Sequence, residues 1–351
     1  MEEIRLVPSM FIGVDGGNII SFGSGQPDLP PPKEIFEIVP RFNGFKYGLI
    51  QGNANLRETL ATQYRGSDEN NFVITNGASE ALDLTFRTLG NGGGGKVLVH
   101  RPYYYSYPPI IEAAGLEPVF TETVDGKIDI DDFHEKVNDC KAVLINSPGN
   151  PTGSIQDINT LKEIENVTED LGIVLISDEV YKDLIYEREN YLLRGPHVVT
   201  VNSFSKTFAM CGFRVGFLYS NDRSIVDNVI GLKTHTSMNT NILAQEMAYT
   251  AANASRDYVD GQLRIWRERR DLICEGLEDL GLDFWKPEGA FYVLPKMKDP
   301  AKAVWNLFKR YDVITYLGDW FGAPDRIRLS YALNTDKIEE GLNRIKRYLD
   351  E

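Results

Sequence analysis

Between Asn71 and about Tyr219 short apolar runs alternate with longer amphipathic segments. "FVIT", "KVLVH", "KAVLINS", "IVLIS", "VVTVNS" and "RVGFLYS" read as strands, and several are apolar on both faces, as strands covered by helices on either side are. "ASEALDLTFRTLG" and "DINTLKEIENVTEDLG" carry helical spacing, the second running into a glycine suited to close a helix. The pattern predicts an α/β layered domain with a mostly parallel sheet. After Asp222 the texture changes to long helices, "NTNILAQEMAYTAAN" and "SRDYVDGQLRIWRERRDLICEGLEDLG". A short β-like region, "GAFYVLP" and "RIRLSYAL", and a terminal helix, "TDKIEEGLNRIKRYLDE", then predict a smaller α/β domain hinged on the long helix. "QPDLPPPKEIF" is an extended connector, because its successive prolines exclude a helix interior. "GNGGGG" (90–95) has no Lys-Ser/Thr after it and leads into a strand, so it reads as a helix-to-strand turn and not as a nucleotide loop.

Composition narrows this picture. At 351 residues the chain exceeds the usual single-domain size. A formal net charge of −14 argues against binding nucleic acid, which needs an excess of Lys and Arg to displace counterions. The cysteines, Cys140, Cys211 and Cys274, have no C-x-x-C spacing and suggest buried thiols in a reducing cytosol. The opening "MEEIRLVPSM" has no apolar core of a secretion signal, and no run is long enough to span a bilayer. The expected setting is therefore the cytoplasm, without membrane or nucleic acid as partner. The four histidines form no metal-ligand pair at helical spacing, so no metal is expected.

Three segments carry chemistry, each at the end of an apolar run where α/β proteins assemble ligand sites. In "ISDEVY", Asp178 is a carboxylate at a buried strand end, which is costly without a cation or donors nearby, although a helix N-cap is an alternative role. "NSPGNPTG" (146–153) is a tight loop in composition, with Asn150 in a more specific Asn-Pro-Thr-Gly order. In "VNSFSKTFAMCGFR", Lys206 emerges from a strand beside the Ser203 and Ser205 hydroxyls, with Arg214 eight positions on. A lysine there suits Schiff-base chemistry with a carbonyl if its surroundings lower its pKa, and a guanidinium suits a phosphate. A lone surface lysine is the ordinary alternative. "TNGASEAL" adds the amides of a helix start, where an anion is favoured.

Together with "GSGQPDLPPP", "YGLIQGNANLRETLA", "RPYYYSYPPIIEAAG" and "RIRLSYA", these segments resemble, in order and spacing over nearly the whole chain, the fold-type I pyridoxal-phosphate enzymes. Within them the chain is similar to the class I/II aminotransferases related to aspartate aminotransferase. The resemblance implies a large domain over 42–256 with a mostly parallel seven-stranded sheet between helices. It implies a small α/β domain from 1–41 and 257–351. The implied cofactor is pyridoxal 5′-phosphate, carried covalently by Lys206, which also moves the proton at the substrate Cα. Asp178 would face the pyridine nitrogen and keep it protonated. Tyr181 and Asn150 match the partners of the ring's phenolic oxygen, and Tyr104 the aromatic on its face, a core tyrosine being the other reading. Gly77, Ala78, Ser79, Ser203, Ser205 and Arg214 match the phosphate cup, where Ser205 instead caps the following helix in an alternative reading. Tyr47 matches a tyrosine that reaches the neighbouring subunit's phosphate, which implies a homodimer with shared sites. Arg328 corresponds to the arginine that grips the substrate α-carboxylate. Arg326, two residues away on the same strand face, is set aside on the R-L-S-Y order. Gly25 would lay its backbone against the substrate, or simply serve a turn.

The resemblance further implies amino-group transfer between an L-amino acid and a 2-oxo acid such as 2-oxoglutarate. Aspartate and aromatic amino acids lead as donors. Some aspartate-using relatives carry a lysine where this chain has Ser79, while "YYYSY" and "MFIGV" suit aromatic or aliphatic side chains. A histidinol-phosphate aminotransferase-like enzyme, a pyridoxal-phosphate decarboxylase or lyase, and a catalytically silent binding protein are the alternatives.

Overall fold

The computed structural model describes residues 6–11, 13, 14, 16–187 and 189–351; residues 1–5 and Ile12, which belong to stretches read above, lie outside them. A seven-stranded sheet is its largest element. Its strands are β1 (Phe72–Thr75), β2 (Lys96–His100), β3 (Glu117–Thr121), β4 (Cys140–Asn146), β5 (Val174–Asp178), β6 (Val198–Ser203) and β7 (Gly216–Ser220). Their spatial order is β1-β7-β6-β5-β4-β2-β3. β3, β2, β4, β5 and β6 pair in parallel, whereas β7 is antiparallel to both β1 and β6. β1 and β6 are buried along their whole length, as expected of a sheet covered on both faces.

The antiparallel strand decides where the site lies. A parallel neighbour needs a crossover of a dozen or more residues with its own helix. Between β6 and β7 the chain instead makes only a short helix, Phe204–Thr207, and a 3₁₀ turn, Cys211–Phe213. The carboxyl ends of β1, β4, β5 and β6 and the start of β7 therefore meet at one edge of the sheet. That edge is where open α/β sheets bind ligands.

The six apolar runs named from sequence form six of the seven strands. The seventh, β3, was not among them. It lies at the sheet edge, begins with an exposed Glu117, contains Pro118 and is only half-buried, so it lacks the continuous apolar run of an interior strand. The helix Pro300–Tyr311 was also passed over, although Asp299 caps it and a proline opens it.

A second core joins residues from both ends of the chain, including Phe22, Trp266, Phe291, Ile338 and Ile345. It lies around a three-stranded antiparallel sheet in the order Tyr292–Val293, Ile327–Ser330, Tyr316–Leu317. Ile338, Gly341, Leu342 and Ile345 form the buried stripe of the last helix, Thr335–Leu349, at the spacing of an amphipathic helix. The 24-residue helix Arg256–Asp279 runs beside the connector. Arg269 holds Asp28 through bonds of 2.6 and 3.1 Å, and Tyr258 donates to the Pro30 carbonyl at 2.9 Å. The glycine-rich stretch is a turn into β2, with Gly93 O accepting from Lys141 Nζ at 2.6 Å.

Candidate active site

At the end of β5, Asp178 is 4% exposed. Tyr107 donates its hydroxyl to Asp178 Oδ2 at 2.7 Å, and the Val180 amide donates to Oδ1 at 3.2 Å. Burial nevertheless pushes its pKa up to about 6, against the pull of these two donors. Two neutral donors do not offset the loss of water around a carboxylate, so a cation at this position would be strongly favoured. Asn146, in register with Asp178 on β4, donates from Nδ2 to the Asp178 carbonyl at 3.0 Å and accepts from the Asn150 amide at 2.8 Å. That clamp aims the Asn150 side chain back over the sheet edge.

Lys206 leaves the short helix after β6. Ser203, not Ser205, caps this helix: its hydroxyl accepts from the Ser205 amide at 3.2 Å and lies 2.8 Å from the Ser205 hydroxyl. Lys206 Nζ donates to the Gly25 carbonyl at 2.5 Å. Burial lowers its pKa, with the Arg328 and Arg214 guanidiniums acting in the same direction and Cys211 and Asp178 opposing. An amine so placed is more readily neutral and nucleophilic. Gly25 is not in the left-handed region, so a turn does not explain it. A Cβ there would stand 2.6 Å from the Tyr292 hydroxyl, and close approach is what requires the glycine. The same Tyr292 hydroxyl lies 2.8 Å from that of Tyr181.

One end of the cavity is shaped for an anion. The helix Ala78–Gly90 starts at Gly77, whose φ of 82° is left-handed and which supplies no capping side chain. Arg214 adopts a left-handed φ of 56° and donates to the carbonyls of Cys211 and Asn76 at 3.0 and 3.2 Å. A Cβ on Gly77 would lie 2.6 Å from Arg214 Nη2. Free first-turn amides and a guanidinium converge here, a combination that favours phosphate or carboxylate.

The opposite end holds Arg328, 2% exposed. It donates to Asn150 Oδ1 at 3.0 Å and to the Gly23 carbonyl at 2.7 Å. Its buried Nε has no partner among the described residues. The rings of Tyr292, Tyr316 and Phe321 lie 4.6, 4.8 and 4.7 Å from the guanidinium carbon. A planar, aromatic-walled fork with an unused donor suits a carboxylate. Arg326 goes elsewhere, despite sharing the strand's alternation. It precedes the strand, donates to the Leu294 carbonyl at 2.6 Å and stacks 3.9 Å from the Trp285 ring.

A cavity of about 630 Å³ gathers Gly25, Ala78, Ser79, Tyr104, Asn150, Asp178, Tyr181, Ser203, Ser205, Lys206, Arg214 and Arg328. Of the residues singled out from sequence, Gly77 lies just behind its wall. Tyr47 is not there: it is 83% exposed on a separate shallow hollow with Phe42, Phe45 and Ile242. Tyr103 turns away to stack on Phe120 at 4.8 Å; Tyr104 and Tyr105 both line the cavity, as do Phe11 and Val14. Tyr107 and Tyr292 were overlooked. Tyr107 opens the helix Tyr107–Ala113, and its amide bonds the Tyr104 carbonyl at 2.9 Å in the turn before it, so no helical periodicity marked it. Tyr292 sits in "GAFYVLP", where nothing local marks it as polar chemistry. Among the described residues no His/Cys/Asp/Glu group is placed to hold a metal.

The model of the family "Aminotransferase class I and II" matches residues 17–345. The aspartate aminotransferase of Thermotoga maritima is 32% identical over 353 residues, covering 95% of this chain and 92% of the relative. The aromatic-amino-acid aminotransferase 2 of Thermococcus litoralis is 30% identical over 382 residues, covering 100% and 96%. The crystal structure of the Thermotoga maritima aspartate aminotransferase superposes with a TM-score of 0.92 at 31% identity, covering 98% of this chain and 95% of that one. Proteins of this kind use pyridoxal 5′-phosphate, and a buried carboxylate lacking a cation, a lysine of lowered pKa and an anion seat suit that cofactor. This chain belongs to the class I and II aminotransferases.

Proposed function

We propose that this aminotransferase works in the cavity between Asp178, Lys206 and Arg328, with an aromatic L-amino acid as donor and a 2-oxo acid such as 2-oxoglutarate as acceptor. The observation that carries this reading is Arg328, buried among three rings with its Nε unpaired among the described residues. When bound, pyridoxal phosphate supplies a ring that accepts electron density from the substrate Cα. The chain's own groups do the rest. Lys206 would hold the cofactor and move the proton at Cα. Asp178, oriented by Tyr107, would balance charge on the ring nitrogen. Tyr181 and Asn150 would bind the phenolic oxygen, and Tyr104 would cover the ring. Gly77, Ala78, Ser79, Ser203, Ser205 and Arg214 would take the phosphate, and Arg328 the substrate carboxylate, while the Gly25 carbonyl, which accepts from Lys206 Nζ, would lie against the substrate.

The donor choice rests on the wall beyond Arg328. Among the described residues the cations lining the cavity are Lys206, Arg214 and Arg328, each already engaged in this scheme. Beyond them the lining holds Phe11, Val14, Leu82, Tyr105 and Tyr316 beside the uncharged Ser21, Ser24 and Gln26, a surface with aromatic and apolar area for a side chain. The names of relatives such as the Thermotoga maritima protein favour aspartate as the second reading. Residues 42–256 would form the cofactor domain, and 1–41 with 257–351 the small one. Phe36, Val39, Phe45, Tyr47 and Leu49 stand exposed together in sequence, which supports a homodimer that carries Tyr47 to the other copy's phosphate. Three free cysteines suit a cytoplasmic setting.

A donor panel against 2-oxoglutarate, read as glutamate formed, tests the reading. Phenylalanine or tyrosine should exceed aspartate in kcat/KM. A preference for aspartate would overturn the donor choice, and no glutamate with any donor would overturn the acceptor.

A further inference from the structure

Lys233 is fully buried near the end of the helix Arg223–His235 and lies outside the cavity lining. Its Nζ donates to both oxygens of Glu80, at 3.1 and 3.0 Å, and to the Ser237 hydroxyl at 2.9 Å. Glu80 stands in the first turn of the helix Ala78–Gly90. Its Oε2 accepts from the Asn76 backbone amide at 2.5 Å and from Asn76 Nδ2 at 3.0 Å. The Asn76 carbonyl is the group that receives Arg214 Nη2 at 3.2 Å. The peptide planes on either side of Asn76 are thus fixed from behind by the half-buried Glu80 carboxylate and in front by the guanidinium. On the other side of this turn the Gly77 amide bonds the Thr75 carbonyl at 2.9 Å.

A glutamate three residues into a helix normally reaches back to cap it. Here it also puts a negative charge beside a seat meant for an anion. Lys233 offsets that charge, and its own complete burial makes the ammonium costly unless the partner is well bonded. We infer that Lys233 and Glu80 form a positioning pair for the phosphate seat: Glu80 sets the Asn76 turn that holds Arg214, and Lys233 anchors and neutralises Glu80. This inference rests on the reading of residues 77–79, 203, 205 and 214 as the phosphate cup.

The test compares two ligands that differ only by the phosphate. The full-length protein, freed of cofactor, is titrated with pyridoxal phosphate and with pyridoxal, and binding is followed by absorbance of the bound chromophore. In the parent protein pyridoxal phosphate should bind far more tightly. In Lys233→Met that advantage should shrink about tenfold, the scale of one disturbed charge-assisted hydrogen bond, with pyridoxal affinity within about twofold of the parent. Lys233→Gln, which keeps a donor for Glu80 and decides the matter if the Met variant does not fold, should lose about threefold. Equal losses for both ligands would make the pair merely structural, and an unchanged ratio in the variants would make it irrelevant to the phosphate; either overturns the inference. A parent protein that does not distinguish the two ligands would instead overturn the phosphate-cup reading itself.

Discussion

Arginines are treated in two opposite ways in this molecule. On the long helix, Arg269 meets Asp28, and Arg270 meets Glu187 and Asp271 at 2.6 and 2.7 Å. In the cavity, the buried Arg328 and the more exposed Arg214 meet, among the described residues, only neutral oxygens: Asn150 Oδ1 and the carbonyls of Gly23, Asn76 and Cys211. A carboxylate partner makes a guanidinium bond roughly twice as strong as a neutral one does. The first pair of arginines has therefore already spent its attraction on the fold, and the second holds it in reserve for ligands. Asp178 shows the same reserve with opposite sign, because its donors are a phenol and an amide and no cation among the described residues touches it.

Removing the amine at the centre of the cavity should have the largest effect. Lys206→Ala should lower turnover by about 10⁴-fold, the upper range for a lost acid–base group, with an unchanged or slightly raised melting temperature. A steep loss of stability would move Lys206 to the class of fold-bearing charges. Asp178→Asn should cut turnover by about 10²–10³-fold, as deletion of one preorganised charge-stabilising group does. It also has a pH signature. Because the folded pKa, about 6, lies above the ordinary 3.8, the folded protein retains a proton between these values that the unfolded chain has released. Stability of the cofactor-free protein should then fall as pH rises from about 4 to about 6, by on the order of 3 kcal/mol from this group, and stay level above. Urea midpoints across that window should lose this slope in Asp178→Asn; an identical slope in both proteins would remove Asp178 as its source.

The arginine contrast is tested directly by paired substitutions. Arg328→Lys should lower kcat/KM by about 10²-fold with little loss of stability, since a lysine cannot make the planar two-point grip. Arg270→Lys should do the reverse and lower unfolding free energy by roughly 2–3 kcal/mol while sparing kcat/KM. The same response from both would dissolve the distinction. The smallest effect is expected from Gly25→Ala. Its methyl would crowd the Tyr292 hydroxyl, so kcat/KM should drop by about tenfold, and Gly25→Ala combined with Tyr292→Phe should recover part of that loss.

The sheet and the position of Lys206 were legible because interior strands of a covered sheet are apolar on both faces, so the first polar residues after them stand out. β3 escaped this reading because an edge strand needs only one buried face and tolerates Pro118. Tyr107 and Asp178 are 71 residues apart in sequence, and Tyr181 and Tyr292 are 111 apart. Such pairings follow from tertiary closure and leave no local periodicity. Gly25 was noticed, but its reason, the nearness of a tyrosine from another part of the chain, could be found only in three dimensions. Lys233 looked like any helix lysine, since neither its complete burial nor Glu80, 153 positions earlier, is marked by its neighbours.

The abrupt return between β6 and β7 puts the amine of Lys206 and the guanidinium of Arg214 on a single stretch of backbone. That stretch works as a ruler. In the proposed scheme the span from the amine that would carry the cofactor to the guanidinium that would take its phosphate is set by residues 206–214 alone, independently of the three-stranded sheet that carries Arg328.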